Sequence, residues 1–169
     1  LGLTEEADQI TTTEGHQSIV IPGVDITKDP KVTYTPTTKD GTVPVDAYVF
    51  VKLTGIAQNK WTRNNGQYEI KNENNEVVLN FQIADGWTAV PNVSDVYYKA
   101  VPAGEMVGTK ADGETTVTGV SIIAGDKIEV SHKITEDDVE AVAAAADKLT
   151  FTAYAIQQQG FDTVTDAWN

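Results

Sequence analysis

The 169-residue chain contains no cysteine, which excludes disulfides, thiolate metal sites and cysteine nucleophiles. It leaves the redox compartment open, because a chain without thiols suits either side of a membrane. Histidine is almost as scarce. His16 and His132 are the only two, neither has a partner four residues on, and no H-E-x-x-H spacing occurs. Positive charge is also in short supply. Twelve Lys and Arg against 25 Asp and Glu give a net charge of −13, a surface that repels phosphate backbones and anionic lipid. The acidic residues are spread along the chain and read as a solvated, solubilising surface. No apolar run reaches the 18 or so residues that a membrane helix needs. The first residue is Leu1 rather than Met, so the expectation is a processed or trimmed chain.

Val, Thr and Ile dominate what is present. They fall in short apolar segments between Gly, Pro, Asn and Asp clusters, the pattern of an all-β sandwich in a single domain over residues 1–169. Ile19 and Ile21 precede a Pro22-Gly23 turn, and Pro36 marks "KVTYTPTT" as an edge position or a strand end. The clearest strand is "VPVDAYVFVKL". Val45, Ala47, Val49, Val51 and Leu53 fall on one face, and Asp46, Tyr48, Phe50 and Lys52 on the other. A hairpin is predicted with strands near 67–71 and 76–83 around Asn72-Glu73-Asn74-Asn75, and "DVYYKAV" is another strand, closed by a Pro102 to Gly104 turn. After Ala124-Gly125-Asp126, the alternation of Ile128, Val130, His132 and Ile134 predicts a strand that carries His132 as a core or edge residue.

One Ala-rich helix interrupts this pattern. Thr135 caps it, Glu136 to Asp138 complement its dipole, and it should run over about 136–147. A final core strand carries Leu149, Phe151, Ala153 and Ala155 inward and fades at Gln157, Gln158 and Gln159. A short C-terminal helix begun by Asp162 then follows, anchored against the sandwich by Phe161 and Trp168.

Chemistry-bearing motifs are few. No G-x-S-x-G elbow or Gly-rich phosphate loop occurs. Asp137-Asp138 and Asp112-Gly113-Glu114 lack the ligand spacing of a calcium loop, and read as dipole-complementing acids and an exposed turn. Trp61, Trp87 and Tyr97-Tyr98 offer either a sugar-stacking platform or the buried aromatics of a sandwich, with burial the simpler account. Asn92-Val93-Ser94 matches a glycosylation acceptor.

Three segments resemble a known family in their order and spacing. They are "IPGVDITKDPKVTYTPTTKDGTVPVDAYVFVKL", "ADGWTAV" with "VYYKAVPAGE", and "KLTFTAYAIQQQGFDTVTDAWN", within about 19–55, 84–105 and 148–169. Together they resemble the TasA and camelysin-type family of secreted bacterial proteins, whose export depends on a dedicated signal peptidase. The resemblance implies a jelly-roll-like antiparallel β-sandwich. It also implies a non-enzymatic subunit of an extracellular fibre in the biofilm matrix or at the cell surface of a Gram-positive bacterium.

Such a subunit needs no cofactor. Its partners would be like subunits in a homopolymer and accessory matrix or anchoring proteins, with no nucleic acid and no membrane span. The start departs from the family. Relatives carry an aromatic-rich segment after the cleavage site, whereas only "LGLTEEADQI" precedes the sandwich here, so that segment is trimmed or short. Fibre growth by strand donation requires an extended, alternating segment to enter a neighbour's groove. Residues 1–12 are the candidate, with Leu1 and Leu3 as donor residues, and an ordinary edge strand is the competing reading of the same stretch. Two further readings stay open. One is an adhesin or carbohydrate-binding sandwich with exposed Trp and Tyr. The other is a camelysin-type metalloprotease, for which the chain has no zinc spacing.

Overall fold

The computed structural model describes residues 2–5, 20–34, 43–114 and 117–169. The readings placed on Leu1, His16, Ile19 and Pro36 lie outside the described residues. Among the described residues, twelve strands run in chain order as β1 (Gly2–Glu5), β2 (Ile26–Thr27), β3 (Pro30–Thr33), β4 (Ala47–Thr54), β5 (Thr62–Asn64), β6 (Gln67–Lys71), β7 (Val77–Gln82), β8 (Thr88–Ala89), β9 (Val96–Val101), β10 (Val120–Ser121), β11 (Lys127–Val130) and β12 (Thr150–Gln157). Helix α1 (Glu136–Asp147) lies between β11 and β12, and α2 (Val164–Trp168) closes the chain.

All strand pairings are antiparallel. They form a four-stranded sheet ordered β12-β4-β9-β8, a five-stranded sheet ordered β2-β11-β7-β6-β5 and a three-stranded sheet ordered β1-β3-β10. The result is the expected all-β sandwich with one Ala-rich helix and a short C-terminal helix. Strands distant in sequence lie side by side, β12 on β4 and β11 on β2, so long connections rather than hairpins alone build the sheets.

The main core fills the space between the sheets. Val49, Val51 and Leu53 of β4 meet Tyr68 of β6, Leu79 of β7 and Ile128 of β11 there. Alternation puts them there, since every second residue of a strand shares a face. The β5–β6 hairpin closes through Asn65-Gly66 with φ of 51° and 83°, the left-handed pair that a two-residue turn needs and that Asn-Gly supplies. At the β6–β7 turn, Asn72 Oδ1 accepts from the backbone N–H groups of Asn74 at 2.9 Å and Glu76 at 3.0 Å, so the amide-rich tetrad forms its turn through its first side chain.

Helix α1 begins and ends where the sequence predicts. The Thr135 N–H donates to Asp138 Oδ2 at 3.1 Å, and Val142, Ala145 and Ala146 turn inward. Helix α2 starts later than predicted. Thr163 rather than Asp162 caps it, its hydroxyl accepting from the Asp166 N–H at 3.1 Å.

Two positions depart from a simple period-2 pattern. Phe50 lies on the face of β4 opposite Val49 and Val51, as alternation predicts, yet it is only 1% exposed. It anchors a second apolar cluster outside the sandwich with Val90, Val96 and Ala167, because α2 folds back over the outer side of β4 and β9. The strand expected to run through His132 stops at Val130. There the Ser131 hydroxyl accepts from the Lys133 N–H at 3.0 Å and turns the chain, leaving His132 exposed in the turn and not in a strand.

Candidate functional site

The three-stranded sheet holds the N-terminal strand. β3 is its centre, pairing with β10 through Val120↔Val32 and Ser121↔Lys31 on one side. On its other side β1 runs antiparallel, in the register Gly2↔Thr33, Leu3↔Val32, Thr4↔Lys31 and Glu5↔Pro30. Val32 is fully buried, so the seat of β1 lies at the rim of the main core. Proline stands at the first position of β3, where its missing N–H removes only the end of the ladder. The Pro30 carbonyl accepts from the Ile122 N–H at 3.1 Å on the β10 side. The candidate residue Leu3 is thus in the edge strand of its own domain, opposite Val32.

β1 also lies beside β12, the outer strand of the four-stranded sheet. All eight residues of β12 pair with β4, from Thr150↔Thr54 to Gln157↔Ala47. Its other edge has no ladder among the described residues. The sequence of β12, TFTAYAIQ, has neither charge nor proline. Those are the features that ordinarily protect a long edge from pairing with another chain. β12 therefore brings to its border with β1 only main-chain groups and uncharged side chains.

A polar chain, exposed at Arg63 and buried at its two tyrosines, ties the two large sheets together near their β5 and β9 ends. The Arg63 guanidinium grips Asp95 with two hydrogen bonds, at 2.7 and 2.6 Å. The Tyr68 hydroxyl donates to Asp95 Oδ1 at 3.0 Å and sits 2.8 Å from the Tyr97 hydroxyl. Burial pushes the Tyr68 phenol far above its ordinary range, and its bond to Tyr97 adds to that. Tyr97 moves the same way, again through burial, while Arg63 is held charged by its bond to Asp95. These four residues come from distant stretches of chain, and no local motif signals them.

The aromatic candidates are packed inside. Trp61 is 4% exposed and Trp87 8%; Tyr97 is buried, and Tyr98 is partly buried against the Phe50 cluster. Trp87 donates from Nε1 to the Ser121 carbonyl at 2.9 Å, and Lys99 covers its ring at 4.9 Å, which leaves no open face for a sugar. Among the described residues, no three His, Asp or Glu side chains converge as a metal site would require. Asn92 lies in an exposed turn before β9. No helix among the described residues is long and apolar enough to cross a membrane. In comparisons with family models, curated proteins and solved structures, the chain matches none.

Proposed function

We propose that the chain is a non-enzymatic structural subunit of an extracellular protein fibre, of the biofilm matrix or the surface of a Gram-positive bacterium. It polymerises head-to-tail by donor-strand complementation. The observation that carries this reading is the position of β1, which pairs with β3 alone at the end of its sheet and borders the uncharged edge of β12. Fourteen residues, 6–19, connect it to the rest of the fold, a length that spans at most roughly 50 Å when fully extended.

Exchange requires no new chemistry. If β1 of one copy occupies the seat of the next, the ladder lost within the chain is rebuilt between chains, with Leu3 opposite a neighbour's Val32. A heterologous contact of this kind propagates as an open filament unless its rotation closes a ring. The partners on this reading are like subunits, with accessory matrix or anchoring proteins at the ends.

A single engineered bond tests the mechanism. Paired antiparallel Cα atoms lie about 4.5–5.5 Å apart, within disulfide range, and the chain has no cysteine of its own. The Leu3→Cys/Val32→Cys double variant, oxidised as a monomer, should stay monomeric in negative-stain electron microscopy and form fibres on reduction. Fibres from fully cross-linked monomer, or no fibres from the unmodified chain, would overturn the proposal.

A further inference from the structure

The outer face of the five-stranded sheet has a lining of amides and carboxylates that no part of the polymerisation scheme uses. Tyr68, Leu79 and Phe81 point into the core, so alternation turns Gln67 and Glu69 of β6, and Asn80 and Gln82 of β7, away from it. Register then sets Gln67 opposite Gln82, and brings Glu69, Asn80 and Glu129 into one row across β6, β7 and β11. Directly opposed side chains have Cβ atoms only about 4.5–5.5 Å apart.

Two hollows meet on this face. One, of about 350 Å3, lies between Gln67, Asn80 and Gln82 and the turn at Ala124 and Gly125, with Lys127 and Glu129 in its wall. The other, of about 380 Å3, lies between the same two glutamines and the hairpin turn at Asn64, Asn65 and Gly66, with Asp85 beyond. Gln67 and Gln82 line both, so the two hollows adjoin at this pair of amides and together make a shallow trough with the pair at its middle.

The trough selects by charge and by hydrogen bonding. Among the described residues Lys127 is the one cation in its lining, and it is already held by Asp25 at 3.5 Å and Glu129 at 3.4 Å. An anionic ligand would meet Glu129 and Asp85 with no spare positive charge. The Gln67 amide nitrogen donates to Glu69 Oε1 at 3.1 Å, which leaves its carbonyl oxygen to accept from outside. Amides donate and accept at once, as hydroxyl groups do. Among the described residues, no aromatic ring lines either hollow except that of Phe81, which is buried. Affinity must then come from many weak hydrogen bonds, which favours an extended ligand over a single ring.

We infer that this trough binds an uncharged, hydroxyl-rich glycan chain along the outer face of β6 and β7. The inference holds whether or not the subunit polymerises. The test applies the intact chain to an array printed with uncharged and anionic oligosaccharides, beside a Gln67→Ala/Gln82→Ala variant and a Tyr154→Ala control on the other sheet. Uncharged oligosaccharides should be retained and anionic ones not, with at least tenfold weaker retention by the double variant and none lost by the control. Should the double variant lose its β-rich circular dichroism, the near-isosteric Gln82→Glu is read in the same way. Absence of any retained uncharged glycan, a preference for anionic ones, or full retention by a folded trough variant would overturn the inference.

Discussion

The ring of Trp168, next to the last residue, lies 5.1 Å from that of Phe50, midway along β4, at an interplanar angle of 54°. Tyr154 of β12 meets the same indole edge-on at 5.5 Å. A central strand of the four-stranded sheet is therefore buried on both sides, by the core within and by the C-terminal helix outside.

Replacing Trp168 with Ala should remove this outer cover and leave the inner core intact. A fully buried Trp→Ala change costs about 3–5 kcal/mol. Trp168 is only partly buried, so about 2 kcal/mol is expected. Urea unfolding checks it: the midpoint should fall with an unchanged slope. A loss below about 0.5 kcal/mol would mean that the helix merely rests on the sheet.

That contact also marks where the sequence was legible and where it was not. Alternation in β4 and β12, the amide turn after β6 and the capping of α1 are local signals, and the structure follows each of them. Period-2 reading assigns faces, but it cannot tell water from a distant segment folding back. So alternation puts Phe50 on the outer face of β4, where the structure has it, without revealing the helix that covers it, and Phe161 and Trp168 read as anchors whose surface only the fold supplies. His132 was misplaced because a side-chain bond from Ser131 ended the strand against its apolar pattern. The pairing of β1 with β3 and the chain from Arg63 through Asp95 to the two tyrosines depend on contacts between remote residues. Nothing in spacing encodes them.

The buried tyrosines give an alkaline signature. Tyr68 ionises at a higher pH in the folded chain than in the unfolded chain, where its ordinary value is 10.0, and Tyr97 is shifted in the same direction. Their contribution is complete below pH 10. Above it the unfolded state releases protons that the folded state retains, so stability should fall by up to about 1.4 kcal/mol per pH unit for each phenol. Denaturant titrations between pH 8 and 11.5 measure this. Tyr68→Phe should flatten the slope while costing about 1–2 kcal/mol at neutral pH, through the lost bond to Asp95. An unchanged slope would show that these phenols do not control the alkaline limb.

Gly55, just after β4, has φ of +86°, and a Cβ there would collide with the Lys148 carbonyl oxygen at the end of α1. Both the left-handed backbone and the contact oppose any side chain, and the clashing atom is main chain that cannot swing aside. Gly55→Ala should therefore cost roughly 2–4 kcal/mol, because backbone strain and overpacking add. A thermal shift scan would show it as a large fall in Tm. A variant with native Tm would mean that the β4 turn and α1 move apart readily.

Asp138 tests whether α1 depends on its cap. Its carboxylate accepts from both the N–H and the hydroxyl of Thr135, at 3.1 and 3.0 Å, while Glu136 and Asp137 also lie in the first turn. Loss of a cap costs about 0.5–2 kcal/mol. The two remaining acids still complement the helix dipole, so Asp138→Ala should fall near 1 kcal/mol, and Asp138→Asn, which keeps an acceptor oxygen, should recover most of it. Glu136→Gln should cost less than half as much, since it removes charge without breaking a bond at Thr135. If it proved as costly as Asp138→Ala, the dipole rather than the cap would be what holds the first turn of α1.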